Sequence, residues 1–104
     1  MANRVVNNSQ ESRYELFVDD RLAGFAAYRI TGTDTHTGPG AHTNIVFTHT
    51  EVDTDTFGHG LGGPLVEAAL NDVRDNTDYR VVDRCPFVRK WISEHREYEE
   101  LRRR

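Results

Sequence analysis

The chain has 104 residues, a net charge of −4 and 29% charged residues, which predict one soluble domain with a single hydrophobic core. No segment reaches the roughly 20 consecutive apolar residues that cross a bilayer, and the apolar run at the N-terminus is too short for a secretory signal. The single cysteine, Cys85, cannot form an internal disulfide, which favours a cytoplasmic protein. The acidic charge balance argues against broad binding to nucleic acid.

The N-terminal part of the chain predicts a polar tail followed by a β-hairpin. Residues 1–12 are polar, and we expect them to be disordered. Residues 13–18 alternate in polarity, which predicts a strand. The apolar residues on one face of this strand are Tyr14, Leu16 and Val18. A short turn at 19–21 leads to a second strand over 22–31, so the two strands should pair antiparallel.

The next two segments predict a loop and a third strand. Residues 32–44, GTDTHTGPGAHTN, are turn-forming throughout and predict a long mobile loop. This loop contains His36 and His42. Residues 45–52, IVFTHTEV, predict a strand with one face formed by Ile45, Phe47 and His49. Five histidines, without a pair of cysteines or a His-x-x-x-His helix, predict no structural metal site.

The C-terminal half predicts two helices and one more strand. After a turn-rich segment over 53–60, apolar residues recur every three or four positions, which predicts an amphipathic helix over 62–75. Its apolar stripe consists of Leu65, Val66, Ala69, Leu70 and Val73. A fourth strand is predicted over 79–85, and Pro86 can open a second helix. The predicted stripe of that helix consists of Phe87, Val88, Trp91, Ile92 and His95. We expect residues 99–104 to be a basic tail.

The predicted order β-β-β-α-β-α over residues 13–98 indicates a single α+β domain, in which helices pack on one mixed sheet. Strand 45–52, helix 62–75 and strand 79–85 form a β-α-β unit. Ligands of such sheets bind where strand ends meet the N-terminus of a helix. Segment 57–63 lies at this point in the chain.

Segment 57–63, FGHGLGG, contains four glycines in six residues between a strand and a helix. Glycine lets a backbone turn sharply and approach a ligand closely. The free N–H groups of the first helical turn, together with the positive end of the helix dipole, favour a phosphate. The segment lacks the Gly-Lys-Ser/Thr of nucleoside-triphosphate P-loops. The alternative is a turn that only connects a strand to a helix.

Three further motifs accompany this turn in a recognisable order. Residues 58–62 (GHGLG) resemble the glycine-rich signature of the GNAT superfamily of N-acetyltransferases. Residues 46–52 (VFTHTEV) and 85–88 (CPFV) resemble motifs of its short, minimal members, and 95–98 (HREY) resembles their closing motif. The resemblance covers most of the chain and implies a minimal GNAT-type acyl-CoA N-acyltransferase fold.

The resemblance also implies a ligand, acetyl-CoA, and an activity, transfer of its acetyl group to an amine. Glu51 and Val52 would offer strand backbone groups to the pantetheine arm of the coenzyme. The pyrophosphate would be surrounded by Gly58, His59, Gly60, Leu61, Gly62 and Gly63. Phe57 departs from the superfamily pattern, which usually has glutamine or arginine at this position.

The acceptor amine is not identified by the resemblance. The superfamily's two early helices, which often shape the acceptor site, have no counterpart between the first two predicted strands. We therefore expect a broad or protein-borne acceptor. We also expect a monomer or a weak homodimer, with no membrane and no nucleic acid among its partners.

Two side chains are candidates for the chemistry. Cys85, at the end of its strand and close to a helix N-terminus that favours a thiolate, could act as a nucleophile or as an acid toward the departing thiolate. His49, on the neighbouring strand, could deprotonate the amine. The alternatives are a small buried hydrophobe for Cys85 and a core histidine bonded to backbone for His49. His59 could help to neutralise the phosphates or be a solvent-exposed loop residue.

The sequence thus predicts an acetyl-CoA-dependent N-acetyltransferase. A second interpretation is a module that binds acyl-CoA without efficient turnover. A third is a protein-interaction domain that kept the fold and lost the ligand, which the glycine-rich turn disfavours.

Overall fold

The computed structural model of the chain describes residues 3–32 and 43–104. Most of the loop predicted over 32–44 therefore lies outside the described residues, as do both of its histidines, His36 and His42. The strands are β1 Asn3–Asn8, β2 Arg13–Val18, β3 Arg21–Gly32, β4 Thr43–Val52 and β5 Arg80–Asp83. The helices are α1 Thr54–Phe57, α2 Gly62–Asn76, α3 Pro86–Glu94 and a C-terminal 3₁₀ helix over Arg96–Arg102.

The five strands form one mixed sheet in the order β1-β2-β3-β4-β5. The first four strands pair antiparallel, and β4 pairs parallel with β5. Helix α2 connects the two parallel strands. The α+β class and the β-α-β unit predicted from the sequence are therefore confirmed.

The helices and one face of the sheet enclose a single hydrophobic core. The stripe of α2 is buried as predicted, since all five of its residues are at most 1% exposed. On β2 the predicted face of Tyr14, Leu16 and Val18 is also buried. The prediction for α3 is wrong at one residue, because Phe87 is 44% exposed while Val88, Trp91 and Ile92 are buried. Phe87 instead lies beside the N-terminus of α2.

The N-terminal segment forms strand β1, so the prediction of disorder over residues 1–12 is wrong for Asn3–Asn8. Each of these six residues pairs with a residue of β2. The hydroxyl of Tyr28 also donates a 2.6 Å hydrogen bond to Oδ1 of Asn7. Sheet pairing uses backbone groups, so a polar edge strand can form with little apolar burial.

The C-terminal residues are also folded, so the prediction of a basic tail over 99–104 is wrong. Leu101 is completely buried in the core. Arg102 bonds the carboxylate of Asp83 at 2.7 Å and also contacts Glu99. The guanidinium of Arg104 donates to the carbonyls of Thr77 and Tyr79, just beyond α2, and to two carbonyls of the last turn of α2. The last carbonyls of a helix form the negative end of its dipole, so a cation near them is favourable.

Candidate functional site

The glycine-rich turn lies between α1 and α2. The predicted turn over 53–60 contains a short helix, α1, whose N-terminus is capped by the Asp53 carboxylate accepting from the N–H of Thr56. Gly58 and Gly60 follow with φ angles of +81° and +97°, a region that L side chains rarely adopt. A Cβ atom at either position would meet no atom within 4 Å. These two glycines are thus required by the backbone, and the space in front of them is open.

Gly62 and Gly63, at the start of α2, have a different role in the packing. A Cβ atom on Gly62 would lie 2.6 Å from Cζ of Phe87, and one on Gly63 would lie 3.6 Å from Nε1 of Trp91. A side chain at 62 would therefore have to displace the exposed ring of Phe87. Leu61 makes no side-chain cap and the first turn of α2 contains no acidic residue. The backbone N–H groups at the N-terminus of α2 are consequently available to an anion.

A cavity of about 250 Å³ opens at this turn, and we call it the glycine-turn cavity. It is lined by Thr50, Val52, Thr54, residues 59–62 and Phe87. Of the residues that the resemblance assigns to the coenzyme, Val52, His59, Gly60, Leu61 and Gly62 line this cavity. Gly58 and Gly63 are the sequence neighbours of the lining residues 59–62 but do not line the cavity themselves. Glu51 lines a different cavity.

Cys85 lies beside this cavity, separated from it by Thr50. It is the N-cap residue of α3, and its backbone N–H donates to the carbonyl of Phe47 at 2.9 Å. Its side chain is buried, and Sγ lies 3.4 Å from Oγ1 of Thr50. Thr50 was not among the residues singled out from the sequence, because the contact depends on the register between two strands that are distant in the chain. Thr50 therefore connects the wall of the cavity to the buried thiol.

His49 lies on the other face of the sheet. Tyr28 of β3 pairs with Phe47, but the residue before it, Ala27, pairs with His49, so β4 carries one extra residue at Thr48. This bulge reverses the alternation. The prediction that His49 shares a face with Ile45 and Phe47 is therefore wrong.

The surroundings of His49 also exclude the alternative of a core histidine. Its side chain is 60% exposed, and Nε2 lies 3.3 Å from the Glu51 carboxylate. Its ring makes an edge contact with Phe25 at a centroid distance of 6.1 Å. Thr50 points to the core face and Cys85, so the structure does not bring His49 and Cys85 together on one face of β4.

Within the described parts of the chain, no helix has the length and apolar character needed to span a membrane.

Comparison with known proteins gives one family for this chain. The search of curated proteins finds no match to the sequence. The model of a GCN5-related N-acetyltransferase family matches residues 13–101, which include β2 to β5, α1 to α3 and all but the last residue of the 3₁₀ helix. The chain therefore belongs to the GCN5-related N-acetyltransferase family.

Proposed function

We propose that this protein is an acetyl-CoA-dependent N-acetyltransferase that acts on an amine acceptor in the cytoplasm. Membership of the family supports an acyltransferase-type function. The glycine-turn cavity is the observation that supports the coenzyme most directly, because it combines open glycine backbone with the N-terminus of a long helix. The presence of a single cysteine is consistent with a reducing compartment.

The residues around the cavity fit the parts of acetyl-CoA. The phosphates would bind to the backbone of residues 58–63, where His59 can add a donor. The pantetheine arm would follow the end of β4, with backbone groups of Glu51 and Val52 as partners. Phe87 and Leu61 supply apolar surface at the rim. Bound acetyl-CoA supplies an activated acetyl group.

Cys85 is the group we assign to the thioester end of this site. It would act as a nucleophile that carries the acetyl group or as an acid that protonates the departing thiolate. Thr50, whose hydroxyl contacts Sγ, can hold the thiol in position in either case. His49 would receive the proton of the amine through a water molecule, because its ring lies on the face of β4 opposite Cys85.

The first prediction concerns binding. Replacing Gly60 with leucine should weaken the affinity for coenzyme A more than tenfold, or about 1.4 kcal/mol, because the side chain would fill the space that the ligand needs. Gly60→Ala imposes the same positive φ with much less bulk, so it should cost less. Isothermal titration calorimetry measures both affinities, with circular dichroism as the check of folding. An unchanged affinity in a folded Gly60→Leu protein would contradict the assignment, and equal losses in both variants would attribute the effect to backbone strain.

The second prediction separates an enzyme from the alternative, an acyl-CoA-binding module without efficient turnover. Coenzyme A should raise the midpoint of thermal unfolding under both proposals, because any ligand of the native state does so. Only an enzyme should release thiol from acetyl-CoA faster when an amine is added. The assay uses panels of polyamines, amino acids and lysine peptides. Tight binding with thiol release at the rate of spontaneous hydrolysis in every panel would favour the binding module.

A further inference from the structure

The only tryptophan of the chain, Trp91 on α3, places its indole N–H beside the first turn of α2. A Cβ atom added to Gly63 would lie 3.6 Å from Nε1 of this ring. Because the Cα–Cβ bonds of a helix tilt toward its N-terminus, Nε1 lies on the N-terminal side of Gly63. The indole N–H is therefore close to the end of α2 at which the backbone N–H groups are free.

This indole N–H has no hydrogen-bond partner of its own. The side chain of Trp91 is only 7% exposed, and the N–H of so deeply buried a tryptophan is usually paired. Among residues 3–32 and 43–104, the carbonyl of Trp91 contacts Nδ1 of His95 at 2.8 Å, but no acceptor is bonded to Nε1. No fully buried side-chain nitrogen or oxygen in these ranges lacks a partner, so solvent must reach Nε1. The N–H is thus an accessible, unpaired donor on a buried ring.

The neighbouring rings hold the indole in a fixed orientation. The imidazole of His95 stacks on it at a centroid distance of 3.8 Å, with 11° between the planes, and the ring of Tyr98 makes an edge contact at 4.9 Å. The hydroxyl of Tyr98 also donates a 2.6 Å hydrogen bond to Oδ1 of Asn71 on α2. His95 and Tyr98 belong to the motif at 95–98 (HREY), to which the proposed function gives no role. These contacts fix the direction in which the indole N–H points.

The first turn of α2 has few backbone donors of its own. Pro64 has no N–H, and the N–H of Leu65 already donates to the carbonyl of Leu61. This turn contains no acidic residue, and α3 carries two cations, Arg89 and Lys90, ahead of its first acid. An anion at this end of α2 would therefore gain from the helix dipole, and the indole N–H would supply the donor that the proline lacks.

We propose that Trp91 donates a hydrogen bond from Nε1 to a phosphate group bound at the first turn of α2. The phosphate site then has two walls, which are the backbone of residues 58–63 and the indole of α3. Trp91 does not line the glycine-turn cavity, so this phosphate lies at the Gly63 edge, next to the lining residue Gly62. That the phosphate belongs to coenzyme A rests on the proposed function. The pyrophosphate bridge and the 3′-phosphate of the coenzyme both have the required chemistry.

Nuclear magnetic resonance tests the contact directly, because a chain with one tryptophan has a single indole N–H resonance. Inorganic pyrophosphate should shift this resonance saturably, with the same dissociation constant as the backbone amides of Gly62 and Gly63. Pantetheine, which has no phosphate, should leave it in place. Dephospho-coenzyme A, which lacks the 3′-phosphate, separates the two sources. An indole shift equal to that caused by coenzyme A identifies the pyrophosphate, and loss of the shift identifies the 3′-phosphate.

A variant measures what the donor contributes. Trp91→Phe removes the N–H but keeps an aromatic ring against His95. It should weaken the binding of pyrophosphate and of coenzyme A about tenfold, the size expected of a hydrogen bond to a charged group. Ile92→Val, which shortens a fully buried side chain on the same helix without removing a donor, is the matched control and should bind both ligands like the wild type. Calorimetry measures the affinities, and urea unfolding checks that each variant is folded.

An indole resonance that stays in place throughout the pyrophosphate titration would overturn the inference, as would a folded Trp91→Phe protein with wild-type affinity. If Trp91→Phe does not fold, the titration of the wild type decides. Titration with coenzyme A keeps this test apart from the proposed function. Shifts at residues 58–63 with an unmoved indole would leave the coenzyme site standing and remove Trp91 from it. An indole shift with pyrophosphate but no binding of coenzyme A would support the anion site and contradict the proposed function.

Discussion

Replacing Leu101 with alanine should lower the free energy of unfolding by about 2–5 kcal/mol, which is the usual range for truncating a fully buried leucine. Leu101 has no exposed surface, although it lies in a segment whose sequence resembles a charged tail. Two terms make up this loss. The removed methyl groups no longer contribute the free energy of their transfer from water into the core, and the cavity that they leave adds a further cost. Urea unfolding followed by circular dichroism measures the effect.

The neighbouring arginines provide graded controls for this prediction. Arg103 is exposed, so Arg103→Ala should change the unfolding free energy by no more than about 0.5 kcal/mol. Arg104→Ala removes the bonds to the carbonyls at and beyond the end of α2 and should cost about 1 kcal/mol. Equal, small effects of all three substitutions would mean that residues 99–104 do not contribute to the core and that the tail interpretation was correct.

The contrast between the centre and the ends of the chain explains what the sequence can predict. Strands and helices with a buried face leave a period in the sequence, as in β2 and α2, and both were predicted from that period. The edge strand β1 is held mainly by backbone pairing, which leaves little pattern in its side chains. The 3₁₀ helix is held in place by the buried side chains of Tyr98 and Leu101 and by specific arginine contacts, which composition alone does not reveal.

The candidate site likewise has some features that the sequence predicts and others that it does not. The glycine-rich turn was predicted because its composition is unusual, but the sequence could not separate the glycines with positive φ from Gly62, which makes room for Phe87. The side of β4 on which His49 lies depends on a bulge at Thr48 that has no signal in the sequence. The contact between Thr50 and Cys85 depends on the parallel register of β4 and β5. Each of these features is decided by tertiary pairing.

Replacing Cys85 with alanine should lower kcat about a hundredfold while leaving the affinity for coenzyme A within about twofold of the wild type. A group that acts only in the transition state contributes to the rate and not to ground-state binding. The measurement is thiol release from acetyl-CoA with a verified amine, together with calorimetric titration of coenzyme A. Thr50→Val, which keeps the shape of the side chain and removes the hydroxyl, should cause a smaller fall in kcat because the thiol remains.

The two roles of Cys85 lead to different covalent outcomes. A nucleophilic thiol should gain the mass of one acetyl group when the protein is incubated with acetyl-CoA in the absence of an amine, and adding the amine should remove that group. A thiol that only donates a proton should stay unmodified although Cys85→Ala still lowers kcat. Because Cys85 is 3% exposed, replacing it with alanine also leaves a small void. The urea midpoint of unfolding of each variant must therefore be shown to be close to that of the wild type before its kcat is interpreted. A folded Cys85→Ala protein with wild-type kcat would leave the residue with a packing role alone, and the proton for the departing thiolate would then have to come from another group or from water.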